Sequence, residues 1–184
     1  MTSQFQPAEI LDFWFSDAMR ARWFDSTPQL DAEIRARFES LWEQAAQGLL
    51  DDWKNTPEGS LALIVVLDQL PLNMFRGQAK SFSSEQQAID AANHAVESGY
   101  PQRLPADRRG FLFMPLMHSE NLADQERSVA LYTAAGLSNA LYWANHHREL
   151  IRRFGRFPHR NAILGRASTP EELAYLASPQ AFRG

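Results

Sequence analysis

Four stretches of the chain carry side chains able to move protons or hold an anion. Met114-Pro115-Leu116-Met117 leads into His118-Ser119-Glu120, an imidazole, a hydroxyl and a carboxylate in succession. Pro115 bars regular helix just before them, near a helix start whose free N–H groups favour anions. In a catalytic reading His118 is a general acid or base, oriented by Glu120 or Asp68. In a structural reading Ser119 caps the helix, Glu120 answers its dipole and His118 bonds a neighbouring carbonyl.

The richest stretch is Arg152-Arg153-Phe154-Gly155-Arg156-Phe157-Pro158-His159-Arg160-Asn161, followed by Gly165-Arg166. Residues 148–166 hold six arginines against one acid, Glu149. The Gly155 and Pro158 turn lets cations converge that a regular helix would splay, and guanidinium forks match phosphate or carboxylate in two-pronged fashion. His159 adds a second candidate acid or base, and Asn161 an orienting amide. Against this stands a purely structural use: Arg152 and Arg153 offset a helix C-terminal dipole while Arg156 and Arg160 pair with acids elsewhere.

Leu67-Asp68-Gln69-Leu70-Pro71-Leu72-Asn73 puts a carboxylate inside an apolar helix. A buried carboxylate needs a cation or several amides. Asp68 is therefore expected to be buried and paired with Arg76, Arg153, Arg156 or Arg160. In the fourth stretch, His146 and His147 point about 100° apart on a helix and cannot chelate one metal from the same face. His147 shares the packed side with Ile151 and Phe154 and reads as a buried, hydrogen-bonded histidine.

The elements that must position these groups are helices, because every strong apolar pattern has a period near 3.6 and no run alternates like a strand. Pro7 opens a short helix through Trp14 and Phe15. Thr27 caps and Pro28 starts a second, whose stripe Leu30, Ile34, Phe38, Leu41, Trp42 and Ala45 runs to Gly48. Leu61–Leu70 is apolar nearly all round and is expected to stop at Pro71. Ser84 and Gln87 form a capping-box pattern for a helix closed by Gly99. Pro115 interrupts the apolar run Phe111–Met117. Ser119 or Asn121 opens a helix to about Ala135, another runs from Ser138 to Phe154, and Thr169-Pro170 with Glu172 opens the last. The expectation is all-α: one domain over residues 1–184, with about seven or eight helices in antiparallel pairs, as in a tetratricopeptide-like helical stack.

Composition narrows the function further. With 184 residues and no cysteine, the chain has no disulfide, thiolate nucleophile or cysteine-held metal. Residues 1–60 carry 11 acidic and 5 basic side chains and the remainder 11 and 13, so the basic excess of a nucleic-acid binder is missing. No membrane span is expected, since the longest apolar stretch, Leu61–Leu67, is too short. The opening MTSQFQPAEILDFWFSD lacks a basic leader, which points to a cytoplasmic location. Phosphate-loop, Rossmann, zincin and hydrolase-elbow motifs are absent, and no histidine spacing argues for a metal. No cofactor is expected.

The chain resembles the uncharacterised, mainly bacterial family called domain of unknown function 924. The resemblance rests on Leu11-Asp12-Phe13-Trp14-Phe15 with Trp23-Phe24, Leu67-Asp68-Gln69 with Pro71 and Asn73, Phe75-Arg76-Gly77, and Phe82. It continues through Phe111–Glu120, Arg153–Arg166 and Ser168-Thr169-Pro170-Glu171-Glu172. It implies an all-helical fold related to tetratricopeptide-like stacks, and it implies no activity. The family usually reads L-D-Q-F-P-R-N where this chain has Leu70 and Leu72, so the arginine that would stand at position 72 is missing.

Two functions compete. One is a small-ligand protein that grips a phosphate- or carboxylate-bearing anion in an Arg/His-lined pocket. Asp68, Asn73, Arg76, Arg156, Arg160 and Asn161 would hold the ligand, and His118, Glu120 and His159 would supply acid–base chemistry in a hydrolytic or isomerising step. The other is a helical-stack adaptor for a protein or peptide, in which the same residues are internal clamps. Convergence in one open pocket favours the first, and dispersal into paired bridges favours the second.

Overall fold

The structure, a computed structural model, describes residues 5–182. Residues 1–4, which begin the stretch read for a leader, and residues 183–184 lie outside it. Helices account for the regular structure, and there is no strand among the described residues. The chain groups into two compact units. One comprises the chain up to Arg76 together with Lys80–Pro115, and the other Gly77–Ala79 together with the chain from Leu116 on.

In the first unit, α1 (Pro7–Trp14) starts where Glu9 reaches back to the Gln6 N–H at 2.7 Å, and it buries Ile10, Leu11 and Trp14. A short α2 (Asp17–Arg20) follows under a Ser16 cap. In α3 (Pro28–Ala46) the Thr27 hydroxyl accepts the Leu30 N–H at 3.2 Å, and Ile34, Phe38, Leu41, Trp42 and Ala45 form the buried stripe that the spacing anticipates. Thr56 caps α4 (Pro57–Ile64), which is buried on nearly all sides. Gly59 is required there because a Cβ would stand 2.2 Å from the Trp53 carbonyl.

Pro71 does not end this helix. The backbone widens into a π-helical turn over Val65–Gln69 and continues as α5 (Leu70–Met74). The reason lies in α6 (Glu85–Glu97) and the residue before it. A proline offers no N–H and crowds the carbonyl four residues back, here that of Leu67. The Ser84 hydroxyl donates to that carbonyl at 2.6 Å and accepts from Trp42 Nε1 at 2.9 Å. Ser84 is thus committed to the π turn and makes no side-chain cap for α6, contrary to the capping-box expectation, and Gln87 Nε2 donates to the Ala46 carbonyl instead. Pro115 also fails to interrupt: α7 (Ala106–His118) carries it within the helix.

In the second unit, Asn121 Oδ1 accepts the Ala123 N–H at 2.8 Å and opens α8 (Leu122–Ala134). A short turn leads to α9 (Ser138–Phe154). The pair is antiparallel: Glu126, early in α8, forms ion pairs with Arg148 and Arg152, late in α9. Gly155 stops α9 at φ +71°, a left-handed conformation that strains any side chain. A loop with one tight turn over Pro158–Arg160 leads to α10 (Pro170–Leu176), opened by the expected reciprocal bonds between Thr169 and Glu172. Leu150, Ile151, Phe157 and Tyr175 form the core of this part.

Candidate functional site

The last carbonyls of α7 have no helical partners and must be met from outside. Gln125 of α8 donates its amide to the Met117 and Ser119 carbonyls, both at 2.7 Å, and Arg160 Nη2 donates to the His118 carbonyl at 2.9 Å. His118 is thereby fixed at a helix end from two directions. Ser119 is not the helix cap: its hydroxyl donates to Asp124 at 2.7 Å and accepts the Asn121 N–H.

Glu120 meets both terminal nitrogens of Arg166, at 2.6 and 2.9 Å, and the Phe157 N–H at 2.8 Å. Burial opposes its charge, but these bonds and the field of Arg166 and Arg160 outweigh it and hold the carboxyl below its ordinary range. Arg166 Nε donates to Asn161 Oδ1 at 3.0 Å, and Asn161 Nδ2 donates to Ser168 and to Glu172. Glu172 in turn takes the two-pronged fork of Arg156 at 2.7 and 2.8 Å. The Arg156 bonds, opposed by burial and aided by the Thr169 N–H and Asn161, pull the Glu172 carboxyl down to about 2. Glu120, Arg166, Asn161, Glu172 and Arg156 are therefore one continuous network. Of the two uses the sequence left open for Arg156, the structure shows internal pairing, its fork closed by the Glu172 carboxylate.

Beside this network, two imidazoles flank Phe157, which is fully buried, and a third stands next to one of them. His147 and His159 stand 5.4 and 5.6 Å from its ring, Arg160 Cζ lies 4.7 Å from it, and His118 is 6.4 Å from His147. His147 Nδ1 donates to the Trp143 carbonyl at 2.8 Å, as expected of a buried, bonded histidine. Burial, reinforced by the neighbouring imidazoles and only partly offset by that bond, pushes its pKa down to about 3. His159 is pushed down to about 4, chiefly by burial and then by the Arg160 guanidinium. Both rings are neutral at pH 7. The Nδ1 atom of His159 is buried and has no hydrogen-bond partner among the described residues.

The remaining expected residues lie in the first unit. Asp68 is buried in the π turn, where Gln69 Nε2 donates to it at 2.5 Å. Three of the arginines proposed for it are engaged with other carboxylates: Arg76 with Asp31, Arg153 with Glu171 and Arg156 with Glu172. Asn73 and Arg76 converge on Asp31, at 2.8 and 2.6 Å, where Ser26 also donates. Burial opposes the Asp31 charge, but these three donors outweigh it and lower its pKa. An open cleft near α1 and α3, lined by Phe13, Met19, Thr27 and Leu30 among others, includes none of the expected residues.

Sequence reasoning missed Gln125, Asp31 and the network roles of Arg166 and Glu172. Glu172 was visible only as half of a capping box, and Arg166 only as one cation in a run of six. Among the described residues no group of three or more His, Asp or Glu side chains is placed to hold a metal ion, and no helix is long and apolar enough to cross a membrane.

The sequence model of a family described as bacterial protein of unknown function (DUF924) matches residues 10–180. Among solved structures the chain is similar to a protein of unknown function, ATU0120, from Agrobacterium tumefaciens. The two are 40% identical over 93% of this chain and 96% of that one, with a TM-score of 0.88. No curated protein matches the chain.

Proposed function

The chain belongs to the bacterial DUF924 family, whose description assigns no activity, and we propose that its second unit binds a small phosphate- or carboxylate-bearing anion at the imidazole cluster around Phe157. The supporting observation is the His159 Nδ1 atom. A buried polar atom without a partner costs about 1–3 kcal/mol, and of the buried side-chain atoms left so among the described residues this one is an imidazole nitrogen. Its immediate neighbour is the Arg160 guanidinium, a donor suited to an anion. A ligand oxygen placed between them would take a hydrogen bond from the Nδ1–H tautomer of neutral His159 and charge from Arg160. His159 then serves as the hydrogen-bonding ring and His118 as a second imidazole near it, whereas Glu120, Arg156 and Asn161 act as the frame.

The test is thermal denaturation over a concentration series of phosphate, sulfate and small carboxylates. A ligand at 100 times its dissociation constant stabilises by about 2.7 kcal/mol. The saturable gain should disappear in His159→Phe, which keeps a ring and removes the nitrogens. Equal gains in the two proteins would reject the site.

A second reading, an adaptor for a protein or peptide, draws support from a different observation. Tyr142 and Trp143 of α9 are 66% and 48% exposed, and Arg152, Arg153, Arg156 and Arg166 are all closed on glutamates. Failure of every anion in the screen, with loss of partner capture in Tyr142→Ser/Trp143→Ser, would favour it.

A further inference from the structure

The segment after α10 folds back over the imidazoles. The Phe182 ring lies 4.7 Å from His147, 5.0 Å from His159 and 5.9 Å from His146, edge-on to each, and 6.1 Å from Trp143. One phenol holds it there. Tyr175 Oη accepts the Phe182 N–H at 2.8 Å and donates to the Gln180 carbonyl at 3.4 Å. The Tyr175 ring itself belongs to the core and packs on Phe154 at 5.2 Å. Anchor and packing are thus separable by a single oxygen atom.

Few other bonds among the described residues tie this segment down. Ser178 donates its N–H and its hydroxyl to the Tyr175 carbonyl, and Ala181 N–H reaches the Ser178 carbonyl at 3.2 Å. Ala181 and Phe182 are only partly buried. A segment with one seated ring and so few hydrogen bonds opens at a small fraction of the free energy of global unfolding. Beneath that ring lie two neutral imidazoles, one of them with an unmatched buried nitrogen.

We propose that Ser178–Phe182 is a strap that closes His147 and the Nδ1 side of the half-buried His159 off from solvent, with the Tyr175 hydroxyl as its latch. The strap goes beyond the anion reading and stands without it, since opening is a property of the segment and not of what binds beneath.

Carbethoxylation of the full chain by diethyl pyrocarbonate at pH 7, followed by peptide mass spectrometry, tests it. His94 is exposed, lies in the other unit and serves as the internal reference. His147, which is buried, should react far more slowly than His94 in the wild type, and the half-buried His159 more slowly than His94. In Tyr175→Phe both should react about fivefold faster, the factor that one lost hydrogen bond contributes to an opening equilibrium. In Phe182→Ala the gain should be about tenfold or more, because the seated ring is gone. Rates at His147 and His159 that stay at the wild-type value in both variants overturn the strap. If a variant unfolds, its far-ultraviolet circular dichroism loses the helical signal, and hydrogen exchange on the wild type decides: amides of 179–182 much less protected than those of α9 support the strap, and equal protection overturns it. The anion series on the wild type is read separately, so a failed ligand and a failed strap give different results.

Discussion

Glu120 and Arg166, 46 residues apart, meet in a two-pronged ion pair at 2.6 and 2.9 Å, and the same carboxylate accepts the Phe157 N–H. One side chain therefore fixes both the loop after α9 and the ring around which the imidazoles gather.

Replacing Arg166 with Ala should destabilise the protein by about 2–4 kcal/mol in urea denaturation, because a half-buried carboxylate loses its counter-ion. Arg166→Lys should recover only part of this, since a point charge cannot serve two oxygens and Asn161 together. The double variant with Glu120→Ala should cost less than the sum of the two single variants. Strict additivity would mean that the pair is not coupled.

Stability should fall as the pH drops below 6.5, the ordinary imidazole pKa. His147 and His159, at about 3 and about 4 in the folded protein, stay neutral there while the unfolded chain takes up protons. The loss should continue until the folded-state values are passed. His147→Phe should flatten the slope of melting temperature against pH in this window, and an unaltered slope would place the proton uptake elsewhere.

Glu172 works in a lower window. Its folded value near 2 lies below the ordinary 4.5, so its contribution is complete above pH 4.5 and is lost as the pH falls towards 2. Glu172→Gln should be less stable than wild type at pH 7, and the two curves should converge in acid. Parallel curves from pH 5 to 2 would contradict the assignment.

Ser84→Ala should cost about 1–3 kcal/mol, because it strands the Leu67 carbonyl and the Trp42 N–H together inside the first unit. A cost within 0.5 kcal/mol, the usual range for surface positions, would show that the π turn meets its own needs.

Most of the helices were legible because their starts are spelled by local chemistry: Thr27-Pro28, Thr169-Pro170 and the Asn121 cap each act within three residues. Gly155 as the end of α9 was equally local. The failures share one cause. Pro71 reads as a stop and Ser84 as a cap until they are brought together in space, where each removes the other's signal. Arg156 and Glu172 show the same limit, since a run of arginines reads equally as an anion site or as internal pairing until the carboxylates that close it arrive from other segments. The candidate site was legible as residue types near proline breaks. Which of them are frame and which face a ligand depends on long-range pairing that spacing does not encode.

The π turn over Val65–Gln69 makes this stretch sensitive to chain length in a way that composition is not. A π turn holds an extra residue relative to an α turn, so everything after it is rotated by about 100° from the phase set by α4. Exchange of one apolar residue for another here leaves that rotation intact. Deletion of a single residue would restore an unbroken α-helical register and carry Asn73 and Arg76 round to a face away from Asp31, dissolving a polar cluster several residues downstream of the cut.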